Sequence, residues 1–205
     1  MKALREKDIP DASMYPGKVK RLALAMIKRG CSREDAFGFI ASAKGISDRD
    51  KPAVAAWFAE NLPKLPENLG GKALHEDCAC CLGGKRYEEA KRIFAEEPNL
   101  SSRIRRLLQT PLIVGYGGEI LDEHTFAVCF FPEMEYYRCP CLQFEKGKQP
   151  IAMSKEYCYC CCGHLKHHIS KALGCAVTVE LVTSSLTTFG KEGCRFLVHV
   201  KEEGK

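Results

Sequence analysis

Apolar residues recur every three or four positions through the first half of the chain and every second position near its end. Val19, Leu22, Ala23, Met26 and Ile27 form one such stripe, and Gly30 stands where a helix would stop. Ser32 with Asp35 predicts a capping box opening a second helix through Ile40 and Ala43. Ser47 predicts the cap of a third, with Asp48 and Asp50 in its first turn and Pro52 near its start. Val54, Trp57, Phe58 and Leu62 share one face of that helix and are assigned to the core. Pro63, Pro66, Gly70 and Gly71 then predict a loop. Tyr87, Ala90, Ile93 and Phe94 mark a fourth helix, and Ile104, Leu107 and Leu108 a short fifth.

The period changes after Pro111. PLIVGYGGEI and HTFAVCFF read as strands, being β-branched and aromatic runs bounded by glycine or proline. Leu165, His168, Ile169, Ala172 and Leu173 predict a helix closed by Gly174. Val177 to Val182 alternate, and CRFLVHV completes an antiparallel pair with them. The expected fold class is α+β. Residues 1–110 form a mainly helical region. Residues 111–205 form an α+β region: an antiparallel sheet, a packed helix and cysteine-rich loops that carry metal and ligand.

Composition narrows the function classes. The chain has 205 residues, 45% of them hydrophobic, enough for a core without covalent staples. A net charge of +5 and a pI near 8.5 fall short of a dedicated nucleic-acid domain. Arg103, Arg105 and Arg106 lack the interleaved aromatics of single-strand binders, so nucleic acid is not an expected partner. Lys18, Lys20, Arg21, Lys28 and Arg29 read as the solvated face of the first helix. The N-terminal stretch has no signal-peptide core, and no apolar run approaches the roughly 18 residues of a membrane span. The expectation is a cytoplasmic protein away from the membrane, where thiols stay reduced. A homodimer is compatible with everything above.

Thirteen cysteines change the picture most. Nine fall in three clusters: Cys78, Cys80 and Cys81; Cys139 and Cys141; Cys158, Cys160, Cys161 and Cys162, followed by His164. Donors one to three residues apart can converge on one ion, and a tetrahedral site needs three or four of them. These ten residues are therefore the candidate metal ligands. Mixed thiolate and imidazole favours zinc, with an iron–sulfur cluster as the alternative. Cys31 and Cys129 stand apart and read as small buried hydrophobes. Cys160, Cys161 and Cys162 also precede a helix expected to start near His164, where a thiolate is favoured. One of them could act as a nucleophile with His164, His167 or His168 as base, which makes a zinc- or thiol-dependent hydrolase the alternative function.

The chain also carries Glu180 on a strand and Gly190-Lys191-Glu192-Gly193-Cys194-Arg195-Phe196 in its last element. This ending resembles that of 4-vinyl reductase-type small-molecule-binding domains and of the L-2-amino-thiazoline-4-carboxylic acid hydrolase-like family. HEDCACCLGGKRYEEAKRIF, the Cys-Pro-Cys triplet and EYCYCCCGHLKHHISKALGCAVTVELVTSSL look like a cysteine-rich bacterial family of unknown function, from about Leu74 to Val200. The resemblance implies a shared fold and a small-molecule pocket, with Glu180 and Cys194 as candidate ligand contacts. The vinyl reductase-type pattern has a cysteine shortly after the strand glutamate, where this chain has Thr183. Together these features lead to the expectation of a zinc-binding protein that binds or senses a small molecule.

Overall fold

A computed structural model describes residues 5–69, 71–79, 82–115, 117–130 and 155–201. Helix α1 spans Gly17–Lys28 and buries Val19, Leu22, Ala23, Ala25 and Met26. Helix α2, Arg33–Ile40, starts where Ser32 accepts a hydrogen bond from the Asp35 N–H, as its sequence predicts. Helix α3 runs Lys51–Asn61. Its cap is Asp50, which accepts from the Ala53 N–H, whereas the Ser47 hydroxyl is taken by the Arg49 N–H in the preceding turn. Asp50 stands one residue before the helix with Pro52 just inside it, the placement that proline's fixed φ favours.

Two expected segments differ. The stretch expected as a loop before the first cysteines contains helix α4, Gly71–Asp77. The Pro111–Val114 run, expected as strand, is a short helix α7, because Pro111 occupies a first-turn position that needs no N–H. Between them lie α5, Gly84–Glu96, and α6, Leu100–Leu108, both as expected.

Strands β1 (Gly117–Ile120), β2 (Thr125–Phe130), β3 (Val177–Thr183) and β4 (Cys194–Val200) form one antiparallel sheet in the order β1-β2-β4-β3. Helix α8, Tyr159–Leu173, connects toward β3 and ends at Gly174, whose φ of +78° suits glycine. Its buried Leu165, Ile169, Ala172 and Leu173 pack with Phe126, Val128, Val177, Val179, Phe196 and Val198 of the inner sheet face. Alternation along β4 is regular, with Cys194, Phe196, Val198 and Val200 facing in. Cys129 lies opposite Gly117 and Arg195 on the outer face, half-buried rather than in the core.

The apolar interior has two clusters. The first joins α1, α2 and α3 to Leu74, Cys78, Tyr157, Cys158 and Leu186. The second holds α5, α6, α7, α8 and the sheet. The change of secondary-structure type near residue 110 thus falls inside the second cluster, because Ala90, Ile93, Ile104 and Leu107 pack with the sheet-covering helix. An aromatic ladder runs through the first. Phe39, Trp57, Phe58 and Tyr157 meet edge to face with centroids 5.1–6.1 Å apart. Its last rung brings the first cluster to the start of α8.

A candidate thiol and imidazole centre

The site forms where α4 ends and α8 begins. These helices approach closely because residue 163 is glycine: a Cβ there would lie 2.7 Å from Glu76 Cα. Lys166 of α8 pairs with Glu76 at 3.2 Å. Helix α1 holds the same end of α4. Lys28 and Arg29 pair with Asp77 at 2.8 and 3.1 Å, and Arg21 Nε donates to the Cys78 carbonyl at 3.3 Å. Basic residues expected on a solvated face therefore anchor Asp77 and Cys78.

At this junction Lys18, Phe58, His75, Cys78, Tyr157 and Cys160 enclose a chamber of about 10 Å³. That is the space of roughly one water molecule. His75 is 4% exposed. Its Nδ1 meets the Glu156 carbonyl, which can only accept, so the proton sits on Nδ1 and Nε2 keeps its lone pair. That Nε2 is buried and has no hydrogen-bond partner among the described residues. Desolvation lowers the His75 pKa, favouring the neutral ring.

The thiols differ in their surroundings. Cys78 Sγ donates to the Leu74 carbonyl at 3.3 Å, and burial pushes its pKa up to about 12, with the charge of Cys160 adding to the effect. Cys158 shares a 3.0 Å hydrogen bond with the Ser184 hydroxyl, and desolvation raises its pKa strongly. Cys160 Sγ receives the Lys18 ammonium at 3.3 Å. That ammonium also lies 3.1 Å from the centre of the Tyr157 ring and 5.2 Å from that of Phe58.

Of the sequence candidates, Cys78 and Cys160 thus line one chamber, and Cys158 lies at the start of α8 with its sulfur on Ser184. Cys162 is fully buried in the second apolar cluster, and Cys161 is half-buried against it. His164 is half-buried, edge-on to His168 with centroids 4.5 Å apart. Helix α8 starts at Tyr159 rather than near His164, so Cys160, Cys161 and Cys162 are helical residues. Cys80, Cys81, Cys139 and Cys141 lie outside the described residues. Among the described residues, no three His, Cys, Asp or Glu side chains are grouped as a metal site. Lys18 and His75 were not among the sequence candidates. The available signal for His75 was its place three residues before Cys78, since positions three apart on a helix share a face.

Glu180 and Cys194 lie on opposite faces of the sheet. Glu180 is exposed opposite the outward Leu197, and Cys194 is buried beside the Ser185 N–H. A separate groove of about 730 Å³ lies over the end of α1 and the start of α2, bordered by Met26, Arg29, Cys31, Phe39, Lys64 and Leu69. Among the described residues no helix is long and apolar enough to cross a membrane. No protein-family model, curated protein or solved structure matches the chain.

Proposed function

We propose that the protein is a cytoplasmic metal-binding protein holding a thiophilic ion, zinc in the first instance, at the α4–α8 junction. The observation that carries this reading is His75. A neutral imidazole fixed through Nδ1 to a carbonyl, with a bare Nε2 buried among thiols, is the form in which histidine ligates metals. Cys78 is the matching thiol, three residues along. The further donors are assigned to the cysteine clusters: Cys80 and Cys81 next to it in the chain, Cys139 and Cys141, and Cys158 at the head of α8. A site filled by protein donors lends folding energy and orders irregular chain. The binding or sensing part of the proposal is supported by the groove over α1 and α2, whose 730 Å³ lies in the usual range for small-molecule pockets.

Anaerobic purification, elemental analysis and a visible spectrum test it together. Stoichiometric zinc in a colourless protein supports the proposal. Iron with charge-transfer absorption moves it to the iron–sulfur form. Metal-free protein that takes up neither ion ends it.

A further inference from the structure

We infer that the groove over α1 and α2 binds a short peptide with apolar side chains and both ends free. The inference rests on the reading of this groove as a small-molecule site and names the class of molecule.

Shape sets the size of the ligand. Helix α2 contributes Asp35, Gly38 and Phe39 to the lining, positions three and four apart that share one helix face. The segment after α3 contributes Lys64 and Pro66. Gly38 leaves room: a Cβ there would have no atom within 4 Å, although the residue stands inside a helix. Half-buried Phe39 and exposed Pro66 supply apolar surface. A volume of 730 Å³ lies in the range that drug-sized ligands fill, which is a few residues of peptide rather than a single amino acid.

Charge decides the ends. Arg29 is held along one edge of its guanidinium, with Nε and Nη2 at 3.2 and 3.1 Å from Asp77. Its Nη1 has no partner among the described residues. Lys28 uses the same carboxylate at 2.8 Å, so two cations share one anion and a positive charge is left over. At the start of α2 the balance is reversed. Glu34 has no ion pair among the described residues, and Asp35 hydrogen-bonds only to Ser32. Burial and the charge of Asp35 raise the Cys31 pKa, which keeps this lining thiol protonated and the binding non-covalent. One groove thus carries an unopposed cation and an unopposed anion. A purely apolar ligand uses neither. A lone anion is repelled by Glu34 and Asp35, and a lone cation by Arg29. A peptide with free ends satisfies both: its carboxylate accepts from the Arg29 guanidinium, its ammonium donates to the carboxylates, and its side chains cover Phe39 and Pro66.

The test is isothermal titration of the full-length protein with phenylalanyl-leucine and its blocked forms. The free dipeptide is expected to bind one to one. Acetylating its amine or amidating its carboxylate weakens binding about tenfold, the worth of one charge-assisted hydrogen bond. Glu34→Gln weakens the free dipeptide but not the acetylated one, which has no ammonium to place. Gly38→Leu fills the groove and abolishes binding, with an unfolding midpoint no lower than wild type. Equal binding of the free and doubly blocked dipeptide, lost in Gly38→Leu, overturns the inference and leaves the groove a small-molecule site of another class. Free phenylalanine binding as tightly as the dipeptide overturns the assignment to peptides. Absence of binding by both the free and the doubly blocked dipeptide overturns it together with the small-molecule reading of the groove, while the metal proposal stands apart from all three results.

Discussion

Glu76 of α4 and Gly163 of α8 meet backbone to backbone, with an added Cβ at position 163 overlapping the Glu76 carbonyl and lying 2.7 Å from its Cα. Neither backbone can yield without moving a helix, and both helices carry residues of the thiol and imidazole chamber. Gly163→Ala is therefore expected to cost about 2–4 kcal/mol in denaturant unfolding, at the upper end of overpacking effects. Gly38→Ala is the contrast. It sits inside α2 with nothing within 4 Å of the new methyl group, and a gain of about 0.5–1 kcal/mol is expected from helix propensity alone. Equal effects at the two positions would remove the close crossing from the account.

The start of α3 separates two capping candidates. Asp50 accepts the Ala53 N–H at 3.0 Å, while Ser47 serves the Arg49 N–H one turn earlier. Asp50→Ala should destabilise the protein by about 1 kcal/mol, and Ser47→Ala by less than half of that. Thermal or urea unfolding of the two variants ranks them directly.

Helix existence was legible wherever the apolar stripe was long, as in α1, α3, α5 and α8. Ser32 was legible as a cap because its signal is local: a hydroxyl followed three residues later by an acceptor side chain. Failures came where two local signals competed. Pro111 opens a run of β-branched residues, yet the first-turn preference of proline decides that Pro111–Val114 coil as α7. The candidate site was half legible. Cysteine density points to Cys78 and Cys160, which the α4–α8 crossing brings to one chamber, and to Cys158, whose sulfur meets Ser184 instead. Lys18 carries only the pattern of a solvated charge in the sequence, which does not reveal that the Tyr157 ring stands beneath it. The sequence favours His164 as the imidazole donor, because it sits inside the densest cluster. Burial and a backbone partner from residue 156 distinguish His75, and both belong to tertiary structure.

That difference between the two histidines gives a direct comparison of metal retention. His75→Gln should lower the zinc retained after dialysis against a weak chelator by about tenfold or more, since even second-shell partners of metal ligands cost 10–100-fold in affinity. His164→Gln should retain zinc at the wild-type level. Far-UV circular dichroism on both variants checks that helix content is unchanged. Loss at His164 with retention at His75 would return the imidazole donor to α8.

Alkaline pH gives the last prediction, for chain stripped of metal. Burial pushes the Cys78 thiol up to about 12 and moves Cys158 in the same direction. In the unfolded chain both are ordinary thiols that ionise near pH 8.5. Between about pH 9 and 12 the folded state keeps protons that the unfolded state has lost, so stability is full below this window and falls as pH rises through it. Each fully shifted thiol contributes a loss of about 1.4 kcal/mol per pH unit there. Half-buried Cys31 and Cys129 are shifted the same way and add to the slope. Urea midpoints measured at several pH values from neutral to about pH 10.5 should decline steadily once past the ordinary thiol range. Cys78→Ala lowers stability at neutral pH by opening a small cavity, but its decline with pH should be shallower than wild type. A parallel decline in the variant would mean that Cys78 ionises as readily when folded as when unfolded, which its burial and its hydrogen bond to Leu74 both oppose.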